Sequence, residues 1–449
     1  MNKLSGFPYW EVQFTKEGLL FDKNEANQLV TEIPMENITD LFVMSHGWNN
    51  DMDEARELYA NLVEKISKQQ ASFQLLGRRF AVIGVLWPSK KFAEQELIAG
   101  GAASLRGSKQ HEELKRLLNQ LDNLKEFFDE ENADELLLKA KQAANKLKVN
   151  QTAQEDFVNT LNTLFATSIN KERLQPQEEM VNSFGDANPK EILANLEDIE
   201  DSETNIFDQG FAARIVSTGG LQSGGESAGL GSSFDGIFTG ACNLLNFVTY
   251  YQMKERAGKV GTNGLNPLLI DIKARFPLIR LHLIGHSFGA RLVTAAVAAP
   301  DNDSTFQIDS LTLLQAAFSH YSFADKYDGQ NNGLFRGVVL GKVKGPVLIS
   351  HTQNDKAVGL AYAIASRIAK QVGATLGNRN DKYGGLGGNG AQMTPEAKNN
   401  DEILRETTAY NFKRGLVYNL NGDSCISGHS DICKDEVARA IFSAGMSTP

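Results

Sequence analysis

Short continuous apolar runs, spaced by amphipathic stretches, mark most of this 449-residue chain. The runs at 40–44 (DLFVM), 79–87 (RFAVIGVLW), 279–284 (IRLHLI), 311–315 (LTLLQ), 346–350 (PVLIS) and 416–420 (LVYNL) are rich in branched side chains. They read as buried strands, because a parallel sheet covered on both faces needs apolar residues at successive positions. Residues 8–15 and 18–21 read as a leading pair, a hairpin around Lys16-Glu17-Gly18. Between the first two core runs, Leu58, Leu62, Val63 and Ile66 recur at helical spacing within 52–66. Strand, helix, strand at that spacing predicts a βαβ unit and hence a parallel sheet. Further helices are predicted over 288–298, 357–371 and 435–444, and no internal repeat is found.

From about 91 to 208 the pattern changes to a polar, charged, helical one. Leu114, Leu117, Leu118, Leu121 and Leu124, then Phe127 and Phe128, recur on a helix-like period, and 136–147 reads as a second amphipathic segment. Two readings of this region stand side by side: a small helical bundle with its own core, or a cap over an active site. Glycine and serine crowd 209–235, and a second glycine-rich stretch covers 373–390; both read as loops. The organisation expected is therefore a first core part at 1–92, a helical insertion at 93–233 and a second core part at 234–449.

Composition narrows the class. A net charge of −10 argues against general binding to a nucleic-acid backbone, so no nucleic-acid partner is expected. Three cysteines cannot build a disulfide framework and suit a reducing compartment. The N-terminus shows no apolar signal region, and the apolar stretch 237–251 is shorter than the roughly 20 residues a membrane span requires. A cytoplasmic protein without stable membrane insertion is the expectation, while the sequence leaves the oligomeric state open.

The chemistry gathers at 281–291, LHLIGHSFGAR. Gly285-His286-Ser287-Phe288-Gly289 is a G-x-S-x-G element between an apolar strand and a small-residue helix, where a nucleophilic serine sits on a sharp turn. By itself the motif also fits a serine that merely caps a helix after a strand. A serine nucleophile needs a base within hydrogen-bond reach, a carboxylate to orient that base, and donors for the developing oxyanion. Downstream, Asp355 follows the 346–350 run, although a helix-capping role would explain it too; Asp325 is the competing acid. His429, in NGDSCISGHSD, follows the last run. His282, His286, His320 and His351 fit worse, since they lie within or beside other parts of the machinery. Asp423 and Asp431 read as loop or cap residues. The oxyanion donors expected are the N–H of Phe288 and one from the turn His46-Gly47-Trp48, with Trp48 favoured, Gly47 letting the backbone turn inward, and His46 in a structural role.

These elements, in the order oxyanion loop, serine, acid, histidine, resemble the α/β-hydrolase superfamily. More closely they are similar to a bacterial branch of serine hydrolases with an FVHGYN-like oxyanion loop, a WPS after the next strand and a tyrosine-bearing helix before a GHS-x-G elbow. Here those are Phe42 to Asn49, Trp87-Pro88-Ser89, Tyr250-Tyr251 and Gly285 to Gly289, with Trp48 in place of the commoner tyrosine. The resemblance covers about 38–92 and 234–298, more loosely 311–445, and leaves out 93–233. It implies a mostly parallel central sheet flanked by helices and a Ser-His-Asp enzyme, but no substrate. A small-molecule or lipid-like ester is expected instead from Phe288, Trp48 and the leucine-rich insertion as sources of apolar surface beside the site. A peptidase or amidase with the same triad, and a catalytically silent binding module, are the competing functions. Cys425 and Cys433 with His429 between them lack a fourth zinc ligand, so neither a metal nor a cofactor is expected.

Overall fold

The computed structural model describes residues 2–89, 109–125, 128, 132–168, 188–197, 236–300, 306–358, 384–398, 400–406 and 410–448. Among these residues a single sheet holds nine strands: β1 (Asn2–Leu4), β2 (Phe7–Gln13), β3 (Asp40–Ser45), β4 (Phe80–Leu86), β5 (Arg280–His286), β6 (Ser310–Leu314), β7 (Val347–His351), β8 (Asp401–Ile403) and β9 (Val417–Asn421). Their spatial order is β1-β2-β4-β3-β5-β6-β7-β9-β8, and every neighbouring pair is parallel except β1 with β2. With flanking helices and a large helical insertion, this is an α/β-hydrolase-type fold. Strands β3, β4, β6 and β7 are buried at every position, which is why their sequences are continuous apolar runs rather than alternating ones.

The described helices are α1 (Lys23–Glu32), α2 (Met52–Gln69), α3 (Lys109–Leu124), α4 (Ala133–Ala144), α5 (Gln151–Ser168), α6 (Pro189–Glu197), α7 (Gly236–Val260), α8 (Asn266–Arg275), α9 (Phe288–Ala298) and α10 (Asp435–Met446). Helix α2 starts in a capping box: the Asp51 carboxylate accepts from the Asp53 and Glu54 amides, and the Glu54 carboxylate accepts from the Asp51 amide. Its Leu58, Leu62, Val63 and Ile66 are buried, as their spacing predicts. None of the described helices is long and apolar enough to cross a membrane.

The chain divides into two compact units. The described residues of 1–89, 253–359 and 377–449 form the first, and those of 90–252 form the second, the division falling within α7. The first unit holds the sheet. In the second, Leu117, Leu121 and Leu124 of α3 are buried, as are Leu137 of α4, Phe157, Leu161 and Phe165 of α5, and Leu193 and Leu196 of α6. Leu117, Leu121 and Leu124 are among the leucines whose helical spacing stood out in the sequence, while the buried residues of α5 and α6 carried no reading there.

The leading hairpin differs from expectation. Its strands are β1 and β2, joined at Ser5 (φ 48°) and Gly6 (φ 93°), a two-residue turn with both central residues left-handed. The chain does turn at 16–18, where an antiparallel bridge between Phe14 and Leu20 is flanked by Thr15 N donating to Leu19 O and Phe21 N donating to Gln13 O (both 2.8 Å). However, 18–21 forms no strand, and Leu19 and Phe21 stay exposed. Strand β8 and helix α1 carry no strong pattern: Leu29 is the one buried residue within α1. Residues 384–390, expected in a loop, include a helical turn at Leu386–Asn389. The predicted loop at 209–235 and all but the start of the predicted helix at 357–371 lie outside the described residues.

The topology marks a switch point. From β3 the chain moves to β4 on one side, and from β5 it moves to β6 on the other. Loops leaving the carboxyl ends of β3 and β5 therefore diverge, and such a switch point is where open α/β sheets bind ligands. Register does the rest. Ser45 pairs with Gly285, so Gly47 arrives beside Ser287.

Candidate active site

Ser287 stands between the last residue of β5 and the first of α9, at φ 56° and ψ −122°. A serine in that region costs about 1–3 kcal/mol and persists only where its surroundings over-determine it. They do: the Ser287 amide donates to Leu314 O at 3.0 Å, and its carbonyl accepts from Ala290 N at 3.1 Å and Ala317 N at 3.3 Å. Both motif glycines are there for space. A Cβ on Gly285 would lie 2.4 Å from Ala290 Cα, and one on Gly289 would lie 2.2 Å from the Ser45 carbonyl oxygen. The strand, turn and helix can close on each other only without those atoms.

His429 sits in the loop between β9 and α10, and its ring bridges the other two polar residues singled out by the sequence. Nδ1 is 2.9 Å from Asp355 Oδ2, and Nε2 is 2.8 Å from Ser287 Oγ. A carboxylate only accepts, so Nδ1 carries the proton, and the bare Nε2 accepts from the serine hydroxyl. Asp355 has a fully buried side chain, and its Oδ1 accepts from the Val358 amide at 3.1 Å. The helix-cap role and the orienting role thus use different oxygens of one carboxylate. Asp325, the competing acid, is exposed.

Two neighbours had no functional expectation. Asp423 Oδ1 accepts from Thr352 Oγ1 (2.8 Å) and the Gln353 amide (2.9 Å), and Asn354 donates to Ile426 O (2.8 Å). They fasten the loop bearing Asp355 to the loop bearing His429. Although burial works against the Asp423 charge, hydrogen bonds from the Gln353 amide, Thr352 and Asn421 hold its carboxyl below the usual range. Their proximity in sequence to Asp355 and His429 was the available signal. Asp431 braces the same loop, accepting from the amide and hydroxyl of Ser427.

The turn after β3 is pinned from several directions. The His46 amide donates to Tyr59 Oη at 2.9 Å, and that hydroxyl donates to Val85 O at 2.5 Å. The His46 ring is buried, which pushes its pKa down to about 4 and keeps it neutral. Its Nδ1 donates to Gly47 O (3.0 Å) while its Nε2 accepts from the Trp87 amide (3.2 Å). Asn50 Nδ2 also donates to Gly47 O, at 3.3 Å. With that carbonyl held toward His46 and Asn50, the planar peptide turns the Trp48 N–H the opposite way. A Cβ on Gly47 would stand 2.7 Å from Ser287 Cβ, so this glycine serves close approach rather than an unusual φ. The Trp48 ring lies 5.9 Å from that of Phe288, which opens α9 where first-turn amides lack an acceptor within the helix.

Tyr59→Phe tests this scaffold. It removes both hydroxyl bonds and strands the His46 amide, so stability is expected to fall by about 2 kcal/mol. Urea denaturation measures it. An unchanged midpoint would show that the hydroxyl does not brace the loop.

Among the described residues, no group of three or more His, Cys, Asp or Glu is arranged to hold a metal ion, Cys425, His429 and Cys433 included. Comparison with protein-family models, with curated proteins and with solved structures finds no match for the chain.

Proposed function

We propose that this chain is a serine hydrolase of the α/β-hydrolase superfamily, related to the branch with an HGYN-like loop and a GHS-x-G elbow, cleaving a carboxylic ester or lipid-like acyl substrate. The observation that carries the reading is the continuous hydrogen-bond relay from Ser287 Oγ through His429 to Asp355. As Ser287 Oγ bonds to the acyl carbon, its proton passes to His429 Nε2, and Asp355 balances the imidazolium. The carbonyl oxygen gathers negative charge, which the amides of Phe288 and Trp48 receive. Collapse breaks the bond to the leaving oxygen, which takes the proton from His429. Water, deprotonated by the same ring, then attacks the acyl-enzyme, and the acid and free serine are regenerated. The half-buried ring of Trp48 beside the elbow, packed against the buried Phe288, favours an apolar acyl chain.

A series of p-nitrophenyl acyl esters of increasing chain length, set against matched p-nitroanilides, tests the proposal. The expected result is a p-nitrophenolate burst stoichiometric with the chain, followed by slower turnover, with esters far outpacing anilides. Faster anilide turnover would make the protein an amidase. Release at the buffer rate for every compound would sink the hydrolase reading.

A further inference from the structure

The proposed relay leaves one buried titratable group beside it unused. His286, the last residue of β5, is 6% exposed, and its Nε2 lies 2.9 Å from the backbone oxygen of His429. We infer that His286 is a positioning residue of this site, tying the main chain of the general base to the strand that carries the nucleophile. The inference rests on the serine-hydrolase reading and deepens it.

The need for such a tie follows from where His429 lives. Residues 422–434 form no helix or strand, so nothing in regular structure fixes the ring. The Asn354 and Ser427 bonds hold the loop at residues 426 and 427. The His286 bond reaches residue 429 itself. Because His286 directly precedes Ser287, the tie sets the histidine's backbone relative to the serine with a single residue between them. A shift of about 1 Å between reacting groups is worth roughly a hundred-fold in rate, so a short tether has large leverage.

The tautomer is determined by the partner. A carbonyl only accepts, so His286 Nε2 carries the proton. Burial, reinforced by the nearby His429, pushes the His286 pKa down to about 3, with Asp355 acting in the other direction and His46 in the same one. The ring therefore remains a neutral donor. His286 adds no second positive charge next to the imidazolium that His429 becomes, although the two ring centres are only 5.0 Å apart. The opposite edge has a separate function. Nδ1 is buried, has no hydrogen-bond partner among the described residues and faces Gly47, where an added Cβ would lie 3.1 Å away. The ring is thus wedged between the oxyanion loop and the histidine loop. A phenyl ring would fill that space but could not donate.

Saturation kinetics of fluorophosphonate inactivation on the full chain separate positioning from packing. The limiting rate reports the attack by Ser287, and the half-saturating concentration reports binding. His286→Gln retains an amide donor near the position of Nε2, whereas His286→Asn is too short and His286→Phe has no donor. We expect the Gln variant to stay within a few-fold of the native limiting rate. The Asn and Phe variants should fall by about a hundred-fold at unchanged half-saturation. Thermal melting checks folding, and the polar Gln and Asn pair carries the comparison if the Phe variant fails to fold. Native limiting rates in the Asn and Phe variants, or a Gln variant as slow as Phe, would overturn the inference. A native chain that does not react at all would instead remove the nucleophile reading beneath it, a result visible before any variant is made.

Discussion

Ser287→Ala is expected to lower the turnover of an activated ester by roughly 10⁴- to 10⁶-fold while the protein stays folded. The size follows from what is lost. Without Oγ there is no acyl-enzyme route, and His429 loses the group whose proton it accepts at 2.8 Å. Stability should barely change, because the bonds that fix the turn use the Ser287 main chain, which alanine keeps. Alanine also occupies the left-handed φ of 56° at a cost similar to serine. Ester hydrolysis is read by p-nitrophenolate release and folding by circular dichroism. Near-native turnover in a folded variant would put the chemistry elsewhere.

The second large effect is structural. Gly289→Ala should destabilise the protein by about 3 kcal/mol or more, at the upper end for a single added methyl group. The new Cβ would lie 2.2 Å from the Ser45 carbonyl oxygen and 2.3 Å from that of His46. Neither obstacle is a side chain that can rotate away. Both oxygens belong to the end of β3 and its turn, which register with β5 holds in place. Relief requires the turn after β3 to part from the turn at Ser287, so under the proposed function activity should fall even in molecules that remain folded. Gly337→Ala is the control, since a Cβ there would meet nothing within 4 Å. Urea midpoints compare the two. Equal midpoints would mean that the close packing of elbow and loop is not a constraint on the fold.

How much of this was legible in the sequence depended on how local each signal was. The core strands announced themselves because burial on both faces demands continuous apolar residues, and β3 to β7 and β9 fall within two residues of the runs read from the sequence. Ser287, Asp355 and His429 were singled out because each follows such a run, and the structure brings their side chains within hydrogen-bond distance. The short edge strand β8 (Asp401–Ile403) has no such run: its residues are half-buried or exposed and pair only with β9. The β1–β2 pair was missed because β1 is three largely exposed residues with no apolar run, whereas the turn at Lys16-Glu17-Gly18 forms but leads only to the bridge at Leu20. His286, Asn354 and Asp423 were passed over for another reason. Each works on a backbone group or a neighbouring loop, and such contacts leave no spacing pattern in a linear sequence. Gly47 was read as letting the backbone turn its amide inward; the structure adds that a Cβ there would stand 2.7 Å from Ser287 Cβ, a close approach the sequence does not reveal.

The central claim is that Ser287 is the nucleophile, and covalent capture tests it most directly. The native chain is treated with a fluorophosphonate, digested, and its peptides are mapped by mass spectrometry. One adduct, on the peptide carrying Ser287 and at that residue, is the predicted result. An unlabelled chain, or an adduct on any other residue with Ser287 unmodified, would contradict it.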